Sequence, residues 1–455
     1  MKRRRFLNYT SLAIASFAIN ACQSIDNLSE TPDKTDSSLE TVNFGKLEKP
    51  YLTLGFIPTT DATPLIIGQK EGFFERYGLQ VSFSKKATWQ DIREGLLDGS
   101  LDAACTPFGM PMQSQLGASE APMISLMTLN LHGSSITFDR DAWEAGMRPF
   151  TDYVNFRELT RAYREYIRGF NQALPLAIED NTSMDAYLTR YWLAAMGLNP
   201  NEAVELIEIP PSEMIYKLQA GMVNSYAAAS PWNEQAVLQK AGFTVNTSRE
   251  IWTGHPGQVL ATMQPWVDQN SVTARALVAA VLEACQFCDA SLKHRNQIAS
   301  ILAQPKYLDT NILAIEPSLV GVYDYGGFDG KSRVKKIPDY YSFHDGETDY
   351  LKKPDHVNYS WRSHGVWLLT QMIRWNQLPL TEYPADADDI LDRIYPLDVY
   401  QEVAEALEIE LPSDRLKFEP ASHFIDQHAF DPSQPVAYLN TFDLRANAPQ
   451  LFALG

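Results

Sequence analysis

Residues of catalytic type are scattered along this 455-residue chain, but few stand at spacings that let them act together. Gly326-Gly327-Phe328-Asp329-Gly330-Lys331-Ser332 has the composition of a phosphate-cradling loop. Its glycine spacing is one residue short, and Tyr325 stands where the first glycine belongs. His423, Asp426 and His428 do not share one helical face, which argues against a metal site. Asp324, Asp329, Asp345, Glu347 and Asp349 lie in acidic stretches without the calcium-loop pattern. Neither GxSxG nor HExxH occurs. Cys285 and Cys288 form a CxxC on the amphipathic stretch 273–292, with no second CxxC and no strand-to-helix junction. They read as a buried structural pair, with a disulfide as the alternative. Cys105 reads as a small core residue. The pattern expects a protein that binds without chemistry, with no cofactor and no metal.

The stretch from Tyr51 to Phe83 offers a site of another kind. Tyr51–Ile57 is an apolar run of strand type. Thr63 is expected as an N-cap, with Pro64 at the first helical position, where its missing N–H costs nothing. Ile66, Ile67, Phe73, Phe74 and Tyr77 recur at helical spacing, Gly78 closes the helix, and Leu79–Phe83 starts a second strand. A helix that opens directly off a strand aims free backbone N–H groups at the sheet's edge, which suits an anion or small polar ligand.

Composition bounds the partners. Hydrophobic residues make 45% and charged residues 21% of the chain, globular values, and the net charge is −18. Residues 1–21 hold Lys2, Arg3, Arg4 and Arg5 and no acid, so residues 22–455 carry −22, with 34 basic against 56 acidic residues. Such a surface does not suit nucleic acid. It also disfavours the approach of anions at low salt, so an anion site here must work through local donors. Residues 1–22 read as an export signal: a twin-arginine pattern, an apolar run Leu12–Ile19, and Ile19-Asn20-Ala21-Cys22 as a lipoprotein cleavage site. The apolar run is far short of the roughly 20 residues of a membrane span. Lipid on Cys22 would anchor the chain to the periplasmic side of the cytoplasmic membrane. Residues 23–49, rich in Ser, Thr, Asp, Glu and Lys, read as a disordered tether.

Beyond residue 50 strands and helices alternate, which predicts an α/β fold with mixed sheets. Thr88 and Asp91 form an expected capping box for Trp89–Leu97, and Thr182 with Asp185 is expected to cap Met184–Met196. Leu176–Glu179, Glu205–Ile209 and Ser225–Ala229 read as strands, the last followed by a helix capped by Ser230.

Tyr51–Phe83 closely resembles the start of the mature periplasmic nitrate- and bicarbonate-binding lipoproteins of bacterial ABC importers. The resemblance returns, in order, at Ala87–Arg93, Arg190–Pro200, Ile207–Met214, Ser230–Val237, Ile251–Ala261, Ser363–Trp375 and Phe430–Leu439. It implies a two-lobed periplasmic binding fold of type II-like form. Lobe one would comprise 50–135 plus 253–310, lobe two 136–252, and a C-terminal extension, 311–455, would wrap both. It implies a monomeric solute-binding protein that captures a small anion in an interlobe cleft and presents it to a permease–ATPase complex. Nitrate or nitrite is the first expectation for that anion. Bicarbonate, another small ligand, or a sensory role without transport are the alternatives.

Candidate contacts follow at strand ends and helix starts: Thr59, Asp61, Trp89, His132, Ser183, Trp232, His255 and Gln258. Trp89 matches the family's pocket tryptophan, and His132 falls where members carry a ligand-contacting glutamine or asparagine. Two positions depart from the pattern. Gln258 stands where nitrate binders have lysine and bicarbonate binders an acid, and Ile178 where a pocket histidine would align. Both changes remove charge-assisted donors, each roughly twice as strong as a neutral one.

Overall fold

The computed structural model describes residues 41–117, 121–344, 356–380 and 382–446. The export signal, Cys22 and most of the expected tether lie outside these residues. Residues 42–49, read from the sequence as the end of the tether, lie on the protein body instead. Val42, Phe44 and Leu47 pack on the core, Glu48 accepts N–H bonds from Val272 and Thr273, and Lys49 pairs with Asp102 at 2.6 Å. Three apolar side chains within six residues suffice to hold that segment down, against a composition that otherwise suggests solvation.

The chain builds two mixed five-stranded sheets in turn. Strands β1 (Tyr51–Phe56), β2 (Gln80–Lys85), β3 (Ala103–Pro107) and β4 (Met123–Thr128) come first. A two-residue strand, β5 (Leu131–His132), leads into β6 (Ser134–Asp139), which opens the second sheet. That sheet adds β7 (Leu174–Ile178), β8 (Val204–Glu208), β9 (Ser225–Ala229) and β10 (Gly242–Thr247). Strand β11 (Gln258–Met263) then returns to the first sheet, whose order is β2-β1-β3-β11-β4; the second runs β10-β6-β9-β7-β8. In the first, β1 runs parallel to β2 and β3, while β11 is antiparallel to β3 and β4. In the second, β7 is parallel to β8 and β9, and β6 is antiparallel to β9 and β10. The chain therefore passes between the sheets at 129–134 and again at 248–257.

Local sequence explains most element ends. Thr88 and Asp91 form the expected capping box on Trp89–Leu97. Elsewhere the caps shift. A 3-10 turn, Thr60–Ala62, precedes helix Thr63–Lys70, and the Thr63 hydroxyl donates back to the Thr60 carbonyl in place of capping. That helix does not run on to Gly78: Gly72, at φ +77°, breaks it before Phe73–Arg76. Ser183 caps Met184–Ala195, replacing the expected pair Thr182 and Asp185. The helix after β9 has Pro231, not Ser230, at its cap position.

Helix Ser271–Asp289 is, among the described residues, the one long and apolar enough to cross a membrane, but 67% of it is buried in the body, as a core helix. It carries Cys285 and Cys288, both buried free thiols. Among the described residues, the Tyr-, Pro- and Asp-rich C-terminal part contains regular helices packed on the body. Helix Arg362–Arg374 is buried along nearly its whole length, and Trp367 lies 4.4 Å, ring to ring, from Trp252.

Candidate functional site

The C-terminal ends of β1 and β3 face those of β7 and β9, and hydrogen bonds cross directly between the two sides. The Thr60 N–H donates to the Ser230 carbonyl (2.8 Å), and the Gly109 N–H to the Thr182 carbonyl (3.1 Å). The Trp89 indole N–H donates to Glu179 Oε2 (3.0 Å), and that of Trp232 to the Pro58 carbonyl (3.1 Å). Gly109 is a glycine for a reason of space: a Cβ there would lie 2.5 Å from the Thr182 carbonyl oxygen.

On the first-sheet side, Asn130 is the organiser. Its amide nitrogen donates to Asp61 Oδ1 (3.0 Å) and its carbonyl oxygen accepts the Gln258 N–H (3.2 Å). The Tyr341 hydroxyl lies 3.2 Å from Asp61 Oδ1 and 3.0 Å from the Gly133 carbonyl oxygen. Gly133 sits at φ +97°, and a Cβ there would meet the Tyr341 ring at 2.1 Å. Asp61 Oδ2, the Thr59 and Thr60 hydroxyls and Gln258 Oε1 are buried without a partner.

The second-sheet side supplies more carboxyl groups. Glu179 accepts the Ala229 N–H (2.6 Å) on Oε1 and the Trp89 indole on Oε2. Asp185 is buried at the start of helix Met184–Ala195, with Oδ2 unpartnered. Glu234 accepts from the Ser230 hydroxyl (2.5 Å) and leaves Oε2 without a partner. Burial pushes Asp61 and Glu234 up to about 7. Burial raises Glu179 and Asp185 too, and each is raised further by a neighbouring carboxylate, Asp61 acting on Glu179 and Glu179 on Asp185. The helix start favours an ionised Asp185 by about 0.3–2 kcal/mol, but burial and the Glu179 charge outweigh it.

The eight expected contacts fall into three groups. Thr59, Asp61 and Gln258 present unpartnered atoms to this cleft. Trp89, Trp232 and Ser183 are there too, but their donors are committed, the Ser183 hydroxyl to the Asp180 carbonyl at 2.6 Å. The histidines form a third group. His132 Nε2 accepts the Gly254 N–H (2.6 Å), so its proton sits on Nδ1 and faces the Asp339 carbonyl oxygen at 2.9 Å. Burial, helped by the Arg249 charge, lowers its pKa to about 3, and the ring is neutral with no spare donor. His255 spends Nδ1 on the Pro256 carbonyl (2.8 Å) and is likewise held neutral by burial. Ile178 is buried at the end of β7. Sequence reasoning missed Asn130, Glu179, Asp185 as a cleft residue, Glu234 and Tyr341. The signal for Glu179 was present, an acid directly after an apolar strand, where a solvated side chain would cost nothing and a buried one needs a reason. Among the described residues, no group of three or more His, Cys, Asp or Glu side chains is arranged to hold a metal ion. A cavity of about 860 Å3 elsewhere, lined by Arg374, Asp426 and His428 among others, contains none of the eight expected contacts.

The model of the NMT1-like family matches residues 45–303. The chain belongs to the NMT1-like family. Over 460 residues it is 30% identical to a nitrate/nitrite binding protein, NrtA, of Synechococcus elongatus, covering 98% of each chain. It is 33% identical over 404 residues to a nitrate import ATP-binding protein, NrtC, of a Synechocystis species. That match takes in 88% of this chain and 56% of the relative, so the chain spans about half the length of such ATP-binding relatives. Among solved structures, the periplasmic nitrate-binding protein NrtA from Synechocystis superposes with a TM-score of 0.77 at 29% identity, over 88% of this chain and all of that one. The fold is accordingly the two-lobed α/β fold of periplasmic binding proteins.

Proposed function

We propose that the protein is the solute-binding component of an ABC importer. It captures a small anion, nitrate or nitrite, between lobe one (50–135 plus 253–310) and lobe two (136–252), and delivers it to a permease–ATPase complex. The observation that carries this reading is the set of direct bonds across the cleft, Thr60 to Ser230, Gly109 to Thr182 and Trp89 to Glu179, around buried atoms without partners. Such a cleft needs only convergent polar groups and a hinge; closure buries the ligand and no bond is broken. The names of the relatives support nitrate. The export signal supports a lipid anchor at Cys22 and a periplasmic location. The family resemblance supports action as a monomer, with the extension 311–455 wrapped round both lobes.

The test is calorimetry on the full chain with nitrate, nitrite, and bicarbonate with and without Ca²⁺, at fixed ionic strength. Nitrate is expected to bind, and Gly109→Val to abolish binding by blocking closure. No heat with any of these ions at any pH would sink the reading.

A sensory role is a second reading. It is favoured by the 33% identity to a protein named as the ATP-binding part of an importer. A domain of this type joined to an ATPase would report solute to it. If so, solute would change the rate of the partner ATPase without being transported.

A further inference from the structure

We propose that the carboxyl groups of Asp61 and Asp185 are the hydrogen-bond donors of this cleft, so that the anion is captured together with protons. The inference rests on the solute-capture reading above and deepens it.

Nearly every side-chain nitrogen that reaches the cleft is already committed. The indoles of Trp89 and Trp232, the Asn130 amide and the His132 and His255 rings all bond to protein acceptors. The Gln258 amide and the Thr59 and Thr60 hydroxyls are left, and all are neutral. Nearby cations are turned to other partners. Arg93 meets Asp180 at 3.5 Å, and the Arg190 fork donates to Asn181 Oδ1 at 2.7 Å and to the Ala186 carbonyl, which leaves its Nε as a buried donor without a partner.

Unpaired carboxyl oxygens come from both sides: Asp61 Oδ2 from the first sheet, and Asp185 Oδ2 and Glu234 Oε2 from the second. Asp185 is 6% exposed and Asp61 1%. As carboxylates they would repel an anion inside a water-poor cleft, where Coulomb terms are large. As neutral acids each carries one O–H, the donor a small oxyanion requires. Burial and the neighbouring acids favour the neutral form, against hydrogen bonds that favour the charged one. Asp61 faces Asp185 and Glu179, which raise it, and the Thr59 and Tyr341 hydroxyls and the Asn130 amide, which lower it, beside the Cys105 thiol; Asp185 faces Glu179 and Asp61, which disfavour its charge, and Ser183, which lowers it. Glu179 also feels Asp180. Burial and this crowding of acids raise all three carboxyls together, as their pKa directions record. An acceptor-only ligand that accepts from these acids raises them further, so binding takes up protons.

The test is nitrate calorimetry on the full chain between pH 5.5 and 8.5, each point in two buffers of different ionisation enthalpy. The expected result is uptake of a fraction of a proton near pH 7 that rises towards one at pH 8 to 8.5, with affinity there falling by about tenfold per pH unit per coupled proton. Asp185→Asn and Asp61→Asn replace the titrating donor by an amide. Each is expected to flatten the pH profile and to strengthen nitrate binding at pH 8. Should one variant fail to fold, the proton count of the unmodified protein and the other variant still decide. Nitrate binding that is independent of pH and exchanges no proton would overturn the proposal and leave solute capture standing. Guanidinium or methylammonium binding in place of nitrate would also overturn it, because the acids would then be holding a cation as carboxylates. If no probe binds at any pH, the capture reading falls, and the proposal with it.

Discussion

Two buried acidic centres in this molecule are built in opposite ways. Under the core helix, Asp289 is fully compensated. Arg295 donates to it at 2.5 Å, and the Phe343 and His344 N–H groups at 2.8 and 3.0 Å. Arg295 in turn bonds the Leu319 and Tyr341 carbonyls. In the cleft, Asp61, Glu179 and Asp185 lie together, and no arginine or lysine pairs with any of them among the described residues. A charge that serves only the fold is surrounded by partners, because a lone buried charge costs several kcal/mol. A centre left uncompensated pushes its acids toward the neutral form, and it keeps hydrogen-bonding capacity in reserve for something that enters. Position in the fold matches: Asp289 ends the core helix, whereas Asp61 follows the end of β1 in the first sheet and Glu179 the end of β7 in the second.

The contrast predicts opposite responses to mutation. Arg295→Met leaves Asp289 buried and unpaired, and should cost about 3–5 kcal/mol in urea unfolding, enough to prevent folding in a marginal background. Asp61→Asn removes an uncompensated acid and keeps its shape. At pH 8 it should leave stability unchanged or raise it, by on the order of 1–2 kcal/mol. Equal losses for the two variants would erase the distinction drawn here.

Thermal unfolding as a function of pH sharpens the same contrast. Asp61 is raised to about 7 in the folded protein, while in the unfolded chain it titrates near the usual carboxylate value. Its contribution is therefore complete below roughly pH 4 and is lost as pH rises towards 7, because over that span the folded state holds the proton longer. Glu234, also raised to about 7, acts with the same sign. Melting temperature should thus fall between pH 5 and 8, and Asp61→Asn should flatten that slope where Arg295→Lys should not. The smallest effect expected is that of Trp89→Phe. It keeps an aromatic wall and deletes one neutral N–H to Glu179, worth about 0.5–1.5 kcal/mol. Nitrate affinity should drop by about two- to tenfold, read by calorimetry.

Much of the frame was legible in the sequence. The apolar run of β1, the capping box at Thr88 and Asp91, and the strand-type runs at 176–179, 205–209 and 225–229 needed no tertiary information, because period and cap chemistry are local. Cap placement by one residue was not. Thr63 and Ser183 show why: which hydroxyl caps depends on which residue takes extended backbone angles, and tertiary contacts set that. The shift at Ser183 matters for the site, since it frees Asp185 from the role of cap and leaves its carboxyl in the cleft. Asp61 was expected at the site, but Asp185 was read only as a cap and Glu179 only as a strand end, because burial of a carboxylate goes against its usual preference and only the fold reveals it. For His132 the expectation of a ligand contact meets a ring with both nitrogens spoken for, by Gly254 and Asp339, two segments distant in sequence.

Difference infrared spectroscopy of the full chain with and without nitrate, near pH 7, tests the account most directly. The account predicts that nitrate increases the carbonyl-stretch absorption of protonated carboxyl groups, and that Asp61→Asn and Asp185→Asn each remove part of that gain. Nitrate binding with no change in that band, or with a shift towards carboxylate absorption, would contradict it.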